Sequence, residues 1–336
     1  MEHIANGSLE GRTVDKPDQG IETFEPSGAR GALLDSRIHF ELGASLGHLA
    51  DALVPISEDM SASLLEVAHQ LENNARVPPI VFRRYYQLVE ALLEQDQKSA
   101  EALLDSIKNS KPRPQRLSIT HYGHPHADQV CLDLTQEGLR IAPISEESAA
   151  GFEEQLRLAL SLMEEALPQL HAEITAIVHE IILVQEPPGD KFEFHGASHY
   201  QFWGLLLLNP KHHRAPLEII EVLAHEASHS LLFGLTIAEP LVRNPDTDLF
   251  TSPLRLDKRP MDGIYHATYV SARMCWAMEA IASSDKLSAD ERLQALNLAK
   301  IDRENYEAGL DVILKHADLT DSGTRILSRA REWMAS

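Results

Sequence analysis

The stretch PLEIIEVLAHEASHSLLFG, residues 216–234, determines the fold prediction. Proline is favoured in the first turn of a helix, and glycine is a common residue just past its end, so Pro216 and Gly234 are suitable boundaries. Between them apolar residues recur at spacings of three and four, the period of a helix. The stretch therefore predicts one long helix that is largely buried.

This predicted helix carries the motif His225-Glu226-Ala227-Ser228-His229. Histidines at positions i and i+4 project from the same helix face, so their ring nitrogens can converge on one metal ion. Glu226 lies beside that face, where it can meet a metal-bound water or orient a ligand. Apolar flanks on both sides predict that these polar groups are half-buried and need partners. We expect a metal site here.

The class of metal site depends on the third ligand. A metzincin places Gly and His three and six residues after the second histidine, but this chain has Leu232 and Leu235 there. His266, in a helix predicted over 261–283, is the preferred candidate. Glu279 in the same helix points about 140° away from His266, so one straight helix cannot offer both to one metal.

Three arginines are candidates to bind a carboxylate at this site. Arg273 follows His266 by two helical turns on nearly the same face, about 10 Å along the axis. This suits a dicarboxylate that chelates the metal at one end and pairs with arginine at the other. Arg255 and Arg259 lie in the preceding loop, which could close over the ligand as a lid. Lys258 is less suited, because bidentate pairing favours arginine.

The remaining sequence predicts a mostly helical chain with a few short strands. His195 and His199 repeat the i, i+4 spacing, but Gly196 between them favours a turn. The predicted helices cover about 31–107 with a break at Pro78-Pro79, then 145–167, 168–179, 261–283, 288–316 (broken once) and 324–334. The predicted strands are 117–120, 130–134, 181–184 and 202–208, and a loop covers 239–260.

These elements predict an α+β fold with a small β-sheet beside the motif helix, distinct from the double-stranded β-helix of many oxygenases. We divide the chain into a flexible N-terminal arm (1–30), an N-terminal helical region with short strands (31–140) and a metal-binding catalytic region (141–336). The last two regions can form one compact unit.

Composition argues against several classes of partner. The chain has 30 Lys and Arg against 51 Asp and Glu, a formal charge of −21, which disfavours binding to nucleic-acid phosphates. The charge suits a cationic peptide, or serves solubility alone. Cys131 and Cys275 are too few for a disulfide framework, and there is neither a signal-like N-terminus nor a run of 18 apolar residues. We expect a cytoplasmic protein without a membrane segment.

Three separated blocks resemble a known family. These are residues 223–234 around the motif, Ser252 to Arg255, and Arg259 to His266. Together they resemble the HExxH-type 2-oxoglutarate-dependent peptide β-hydroxylases associated with ribosomally made, post-translationally modified peptides. The resemblance covers roughly Phe202 to Arg273. No CxxxCxxC cluster motif occurs, so the chain resembles a stand-alone form rather than a fusion to a radical-SAM domain.

The resemblance implies a mononuclear Fe(II) centre that uses 2-oxoglutarate and O₂ to hydroxylate the β-carbon of a precursor-peptide residue. His225 and His229 map onto the family's metal motif. His266 as third ligand is inferred jointly from the matching block and from helix geometry. Glu226 would then support the ligands, because an oxygenase needs no base to activate water. Neither the peptide nor the oligomeric state follows from the sequence.

Two other interpretations stay open at this point. In a zinc peptidase, Glu226 would be the general base for a zinc-bound water, with Glu279 or His266 completing the site. In a helical binding protein without metal, the histidines would only pack. Metal content and the response to replacing Glu226 distinguish these functions.

Overall fold

The computed structural model describes residues 21, 23–113, 116–190, 193–252 and 257–336. Within these ranges the fold is mostly helical with small sheets, which confirms the α+β prediction. The helices are α1 Gly28–Leu53, α2 Glu58–Glu72, α3 Pro79–Leu93, α4 Gln97–Lys108, α5 Pro125–Gln136, α6 Glu146–Ala166, α7 Pro168–Ile177, α8 Pro216–Leu235, α9 Met261–Ala282, α10 Ala289–His316 and α11 Asp321–Met334. None of the described helices is long and apolar enough to cross a lipid bilayer.

Side-chain caps fix where the N-terminal helices begin. Ser27 and Ser57 accept hydrogen bonds from backbone amides in the first turns of α1 and α2, and Asp96 does so for α4. Pro78 precedes α3, where the predicted break lies. α1 begins at Gly28, so the last three residues of the predicted arm are helical, while 1–20 and residue 22 lie outside the described residues.

A four-stranded sheet has the order β1-β2-β4-β3, with β1 Ser118–His121, β2 Glu180–Leu183, β3 Gly196–Ser198 and β4 Leu205–Leu208. The first three strands in that order are parallel, and β3 pairs antiparallel at the edge. β2 and β4 are buried along their whole length, which explains their nearly continuous apolar sequences. A separate hairpin joins β5 Leu249–Thr251 to β6 Lys258–Pro260.

Four predicted elements are wrong, and one of them is the loop predicted over 239–260, which contains β5 and β6. Residues 130–134 belong to α5 rather than to a strand, because Pro125 starts a helix whose residues Val130, Cys131 and Leu134 share its buried face. The segment 288–316 is one unbroken helix, which Ser288 and Glu291 start with a capping box. The predicted turn at His195–His199 contains β3.

One apolar core connects the helices. It extends from Phe24, before α1, to Met334 at the end of α11. A smaller apolar cluster between α5 and the sheet includes Cys131 and Phe202. The larger core therefore contains residues from both sides of the predicted boundary at 140.

Asp35 of α1 is the acceptor at the centre of a buried polar cluster. Its carboxylate accepts hydrogen bonds from Arg76 Nε and Arg113 Nη1, both at 3.0 Å. It also contacts His179 Nε2 at 2.8 Å and accepts from Trp203 Nε1 at 2.9 Å. The side chain is 4% exposed. One carboxylate thus connects α1 with segments before β1, before β2 and before β4.

This cluster favours the ionised carboxylate. Burial alone would raise the pKa of Asp35, but hydrogen bonds from His179 and His39, and their proximity, hold the pKa well below its ordinary value. The charged carboxylate therefore stabilises the fold fully at pH values above the pKa that Asp35 has in the unfolded chain. This stabilisation is lost as the pH falls towards the lower pKa that Asp35 has in the folded protein.

We expect Asp35→Asn to destabilise the fold by about 2–4 kcal/mol, because it leaves two half-buried guanidinium groups without their counter-charge. Urea denaturation at neutral pH measures this loss. Asp51→Asn is the matched control, because Asp51 is exposed on the same helix and its replacement should change stability by less than about 0.5 kcal/mol. Equal effects of the two substitutions would contradict the role assigned to Asp35.

Candidate metal centre

α8 is buried on most sides. One line of its side chains, from residue 221 to residue 233, is partly exposed. Leu217, Ile219 and the other core residues of this helix are covered. The partly exposed residues between positions 219 and 234 recur every four positions: Glu221, His225, His229 and Phe233. We call these four residues the open stripe. A four-residue spacing keeps them on one slowly winding face, so the two motif histidines lie on the accessible face of the helix.

His266 of α9 joins the two motif histidines. His225 Nε2 and His229 Nε2 are 3.2 Å apart, and His229 Nδ1 is 3.0 Å from His266 Nδ1. The rings of His229 and His266 stack with centroids 5.3 Å apart. The structure therefore brings the three predicted ligands into contact, although they come from two helices.

All three imidazoles are held neutral. Burial, with smaller contributions from nearby histidines, lowers the pKa of His225 to about 4. Burial also lowers the pKa of His229 well below its ordinary value, and it lowers the pKa of His266. The neutral ring is the form that coordinates metals, so the site needs no proton release from these rings near pH 7.

The three histidines could bind one transition-metal ion together if one imidazole ring rotates. Two imidazole nitrogens bound to one metal at about 2.1 Å are about 3.0–3.4 Å apart, and the Nε2 atoms of His225 and His229 meet this distance. His266 faces the other nitrogen of His229, so a shared ion requires one of these rings to turn. As the side chains stand, no group of three His, Cys, Asp or Glu in the described ranges is arranged around a common ion position.

Glu226 is turned away from the open stripe. It is 5% exposed and hydrogen-bonded to Ser198 of β3. Gly196 makes room for it, because a Cβ at that position would lie 2.9 Å from Glu226 Oε1. Burial raises the pKa of Glu226 to about 8, although the bond to Ser198 lowers it. The carboxyl group connects α8 to the edge strand.

Two apolar side chains border the histidines, and sequence reasoning did not assign them to the site. Met274 Sδ is 3.1 Å from His225 Nδ1, and the Phe233 ring is 5.4 Å from the ring of His266. Met274 lies eight residues after His266, and Phe233 four residues after His229. Their helical registers could have indicated both. An apolar border limits access of water to the imidazoles.

The structure places Arg273 in a buried ion pair rather than in an open position. Its guanidinium contacts Glu173 of α7, donates to the Phe24 carbonyl at 2.6 Å, and reaches Ser228 Oγ at 3.4 Å. Arg30 of α1 binds the same carboxylate. The three charged side chains are about 2% exposed or less and carry a net charge of +1. Arg273 could therefore bind the carboxylate of a ligand only if its guanidinium released Glu173 or the Phe24 carbonyl.

The other predicted residues have different positions. Arg259, predicted to lie in a loop, belongs to strand β6; its side chain is 34% exposed and is 3.4 Å from Asp257. Arg255 lies outside the described residues. Glu279 pairs with Arg303 of α10 at 2.9 Å and is not among the groups that contact His266.

No family model matches the chain, and no curated protein matches it.

A pair of carboxyl groups, one partly exposed and one buried, lies one turn before His225. Glu221 of the open stripe is hydrogen-bonded to Asp302 of α10, which is 2% exposed. Burial raises the pKa of Glu221 to about 7, and the charge of Glu218 adds to this. Burial and the charge of Glu221 raise the pKa of Asp302 to about 8. The pair therefore retains a proton near neutral pH.

We expect Asp302→Asn to lose less stability than the wild type as the pH rises above the ordinary carboxyl pKa. Between the ordinary carboxyl pKa and about pH 8 the folded wild type holds protons that the unfolded chain has released, so its stability falls as pH rises. The amide introduced by Asp302→Asn cannot ionise and can donate to Glu221, which removes part of that loss. Urea midpoints between about pH 5 and pH 8.5 measure the difference, with the exposed Asp311→Asn of α10 as control. Parallel profiles for wild type and Asp302→Asn would contradict the shared proton.

Proposed function

We propose that this protein is an Fe(II)- and 2-oxoglutarate-dependent hydroxylase that acts on the β-carbon of a residue in a ribosomally made precursor peptide. In the overall reaction one C–H bond of the peptide becomes C–OH. The second oxygen atom of O₂ enters succinate, and 2-oxoglutarate loses CO₂. The oxidant is O₂, and 2-oxoglutarate supplies the two remaining electrons.

The observation that carries the proposal is the composition of the accessible site. Three neutral histidines of α8 and α9 are in contact there, while the motif glutamate is buried under β3. Three neutral ligands leave the charge of the metal to be balanced by a bound anion, and 2-oxoglutarate is such an anion. The sequence blocks that resemble the peptide β-hydroxylases agree with this interpretation.

His225, His229 and His266 would hold the iron, and Met274 and Phe233 would limit access of water. When bound, iron supplies the site for activating O₂, a reaction that no protein side chain performs. Glu226 and Ser198 would keep β3 and α8 in register. The small described sheets, of four and two strands, support a scaffold other than the eight-stranded jelly roll.

The main alternative is a zinc peptidase with Glu226 as general base. A general base has to reach the attacking water and must be ionised at the working pH. The Glu226 carboxyl is hydrogen-bonded to Ser198 and nearly inaccessible. These two facts favour a supporting role for Glu226 over activation of a water molecule.

We expect the anaerobically purified protein, given Fe(II), 2-oxoglutarate and O₂, to form succinate. His229→Ala should abolish both stoichiometric iron binding and succinate formation, because it removes the ligand that contacts the other two. The exposed His48→Ala of α1 is the control and should retain both. Mass spectrometry measures succinate, and metal analysis measures iron.

The Glu226→Gln variant distinguishes a zinc peptidase from a 2-oxoglutarate-dependent hydroxylase. A peptidase should lose nearly all activity, whereas a hydroxylase should keep most of its iron binding and succinate formation. Stable zinc binding together with no succinate from any peptide tested would count against the proposal.

Three arginine variants test the anchor of the distal carboxylate. Replacing the responsible residue by Met removes a charge-assisted pair worth about 2–5 kcal/mol and should raise the apparent KM for 2-oxoglutarate about 30-fold or more. The variants are Arg255→Met, Arg259→Met and Arg273→Met. Iron content should not change, because the histidines remain.

Arg30→Met is the matched control for Arg273, because both side chains bind Glu173. If Arg273 is the anchor, only Arg273→Met raises KM, although both variants lose stability. A KM for 2-oxoglutarate that stays at the wild-type value in all three anchor variants would exclude these arginines.

A further inference from the structure

An exposed aromatic ring lies at one end of the open stripe. Tyr200 is 56% exposed, although its ring stacks on His199 at 5.2 Å. Tyr86 and Phe233 meet it at 5.8 and 6.4 Å. Phe233 in turn contacts the His266 ring. We call Tyr86, Tyr200 and Phe233 the aromatic platform, and it leads from the surface to a candidate metal ligand.

A partly buried polar network contacts this exposed ring. Gln201 Nε2 lies 3.1 Å from the Tyr200 hydroxyl, and Arg83 Nη1 donates to Gln201 Oε1 at 2.7 Å. Arg83 also pairs with Glu137, which holds His199 at 3.3 Å. A rigid, exposed aromatic side chain is a common recognition element, because little conformational entropy is lost on binding. The network therefore prepares Tyr200 to receive a ligand group.

The other end of the stripe is acidic. Glu218, Glu221 and Asp302 form this acidic end, and neither Glu221 nor Asp302 makes an ion pair with any described residue. Asp302 Oδ2 is buried and has no hydrogen-bond partner among the described residues. The pair retains one proton near neutral pH, so one negative charge remains there without a counter-ion, and Glu221 is its partly exposed member. Such a charge attracts a basic group. The chain's net charge of −21 favours a cationic ligand in the same sense.

The candidate ligands lie midway between these ends. At 1.5 Å per residue, Glu221 and Phe233 are about 18 Å apart along α8, and His225 and His229 lie between them. An extended peptide covers that distance with about six residues. Its middle residue would lie over the histidines, about three positions from each end.

We propose that the open stripe binds its substrate peptide in an extended conformation, with an aromatic side chain on the aromatic platform and a basic side chain at the acidic end, about six residues apart. The modified residue lies near the midpoint, an assignment that rests on the proposed hydroxylase function. The spacing of the two recognised side chains does not depend on that function.

Selection from a random peptide library tests the proposal. The full-length protein is immobilised and used to select displayed peptides of about ten residues, which exceed the length of the stripe at ~3.3 Å per residue. We expect the enriched peptides to pair an aromatic with a Lys or Arg at a separation of five to seven positions, in one chain direction. Synthetic versions of the enriched peptides are then measured by fluorescence anisotropy.

The variants assign each end of the peptide. Tyr200→Ala should weaken binding about tenfold and remove the aromatic preference, whereas Tyr200→Phe should bind within about threefold of wild type. Glu221→Gln should remove the preference for the basic residue. Leu293→Ala, an exposed leucine of α10, is the control and should select the same peptides as wild type. Thermal unfolding confirms that each variant is folded.

The proposal is overturned if no peptides are enriched, if the enriched peptides lack this spacing, or if Tyr200→Ala selects the same sequences as wild type. Succinate formation by the wild type is measured separately. If the selected peptides show the spacing but no succinate forms, the peptide-binding surface is supported and the hydroxylase function is rejected. If succinate forms but the selected peptides lack the spacing, the hydroxylase function is supported and the binding surface is rejected.

Discussion

The buried carboxylate of Glu173 controls the geometry of the site. It binds Arg30 of α1 and Arg273 of α9, and Arg273 also reaches Ser228 of α8. Without Glu173, two guanidinium groups would be buried without a counter-charge, which is strongly unfavourable. Because α8 and α9 carry the histidines, this ionic cluster adds a polar connection between the two helices that hold the site, beside their apolar packing.

Much of the fold follows from local sequence. Pro216 and helical periodicity indicated α8, and periodicity indicated α9. The i, i+4 spacing placed His225 and His229 on one face of α8, whereas His266 was inferred jointly from the matching block and from helix geometry. What local sequence could not indicate depends on distant partners. Glu173 lies 100 residues before Arg273, so helix register alone made Arg273 resemble an open anchor. Likewise, β3 forms because β4 provides hydrogen bonds and Gly196 leaves room for Glu226, neither of which is visible in the turn-like residues themselves.

The same motif permits different chemistry according to what surrounds it. A histidine pair at i, i+4 binds metal in either a hydrolase or an oxygenase. The environment of the intervening glutamate distinguishes these classes, because only an accessible carboxylate can activate water. Here Ser198 and Gly196 of β3 enclose Glu226. An edge strand of three residues thus determines how accessible the motif glutamate is.

The contact between Arg273 and the carbonyl of Phe24 joins residues 249 positions apart. At a synthesis rate of about 5–20 residues per second, Arg273 is therefore made roughly 10–50 s after Phe24. Over that interval Arg30 and Glu173 can pair, but the second guanidinium and the helix bearing His266 are missing. The two motif histidines thus exist on the nascent chain before their third companion. The contact among the three histidines can accordingly form only after most of the chain has been made.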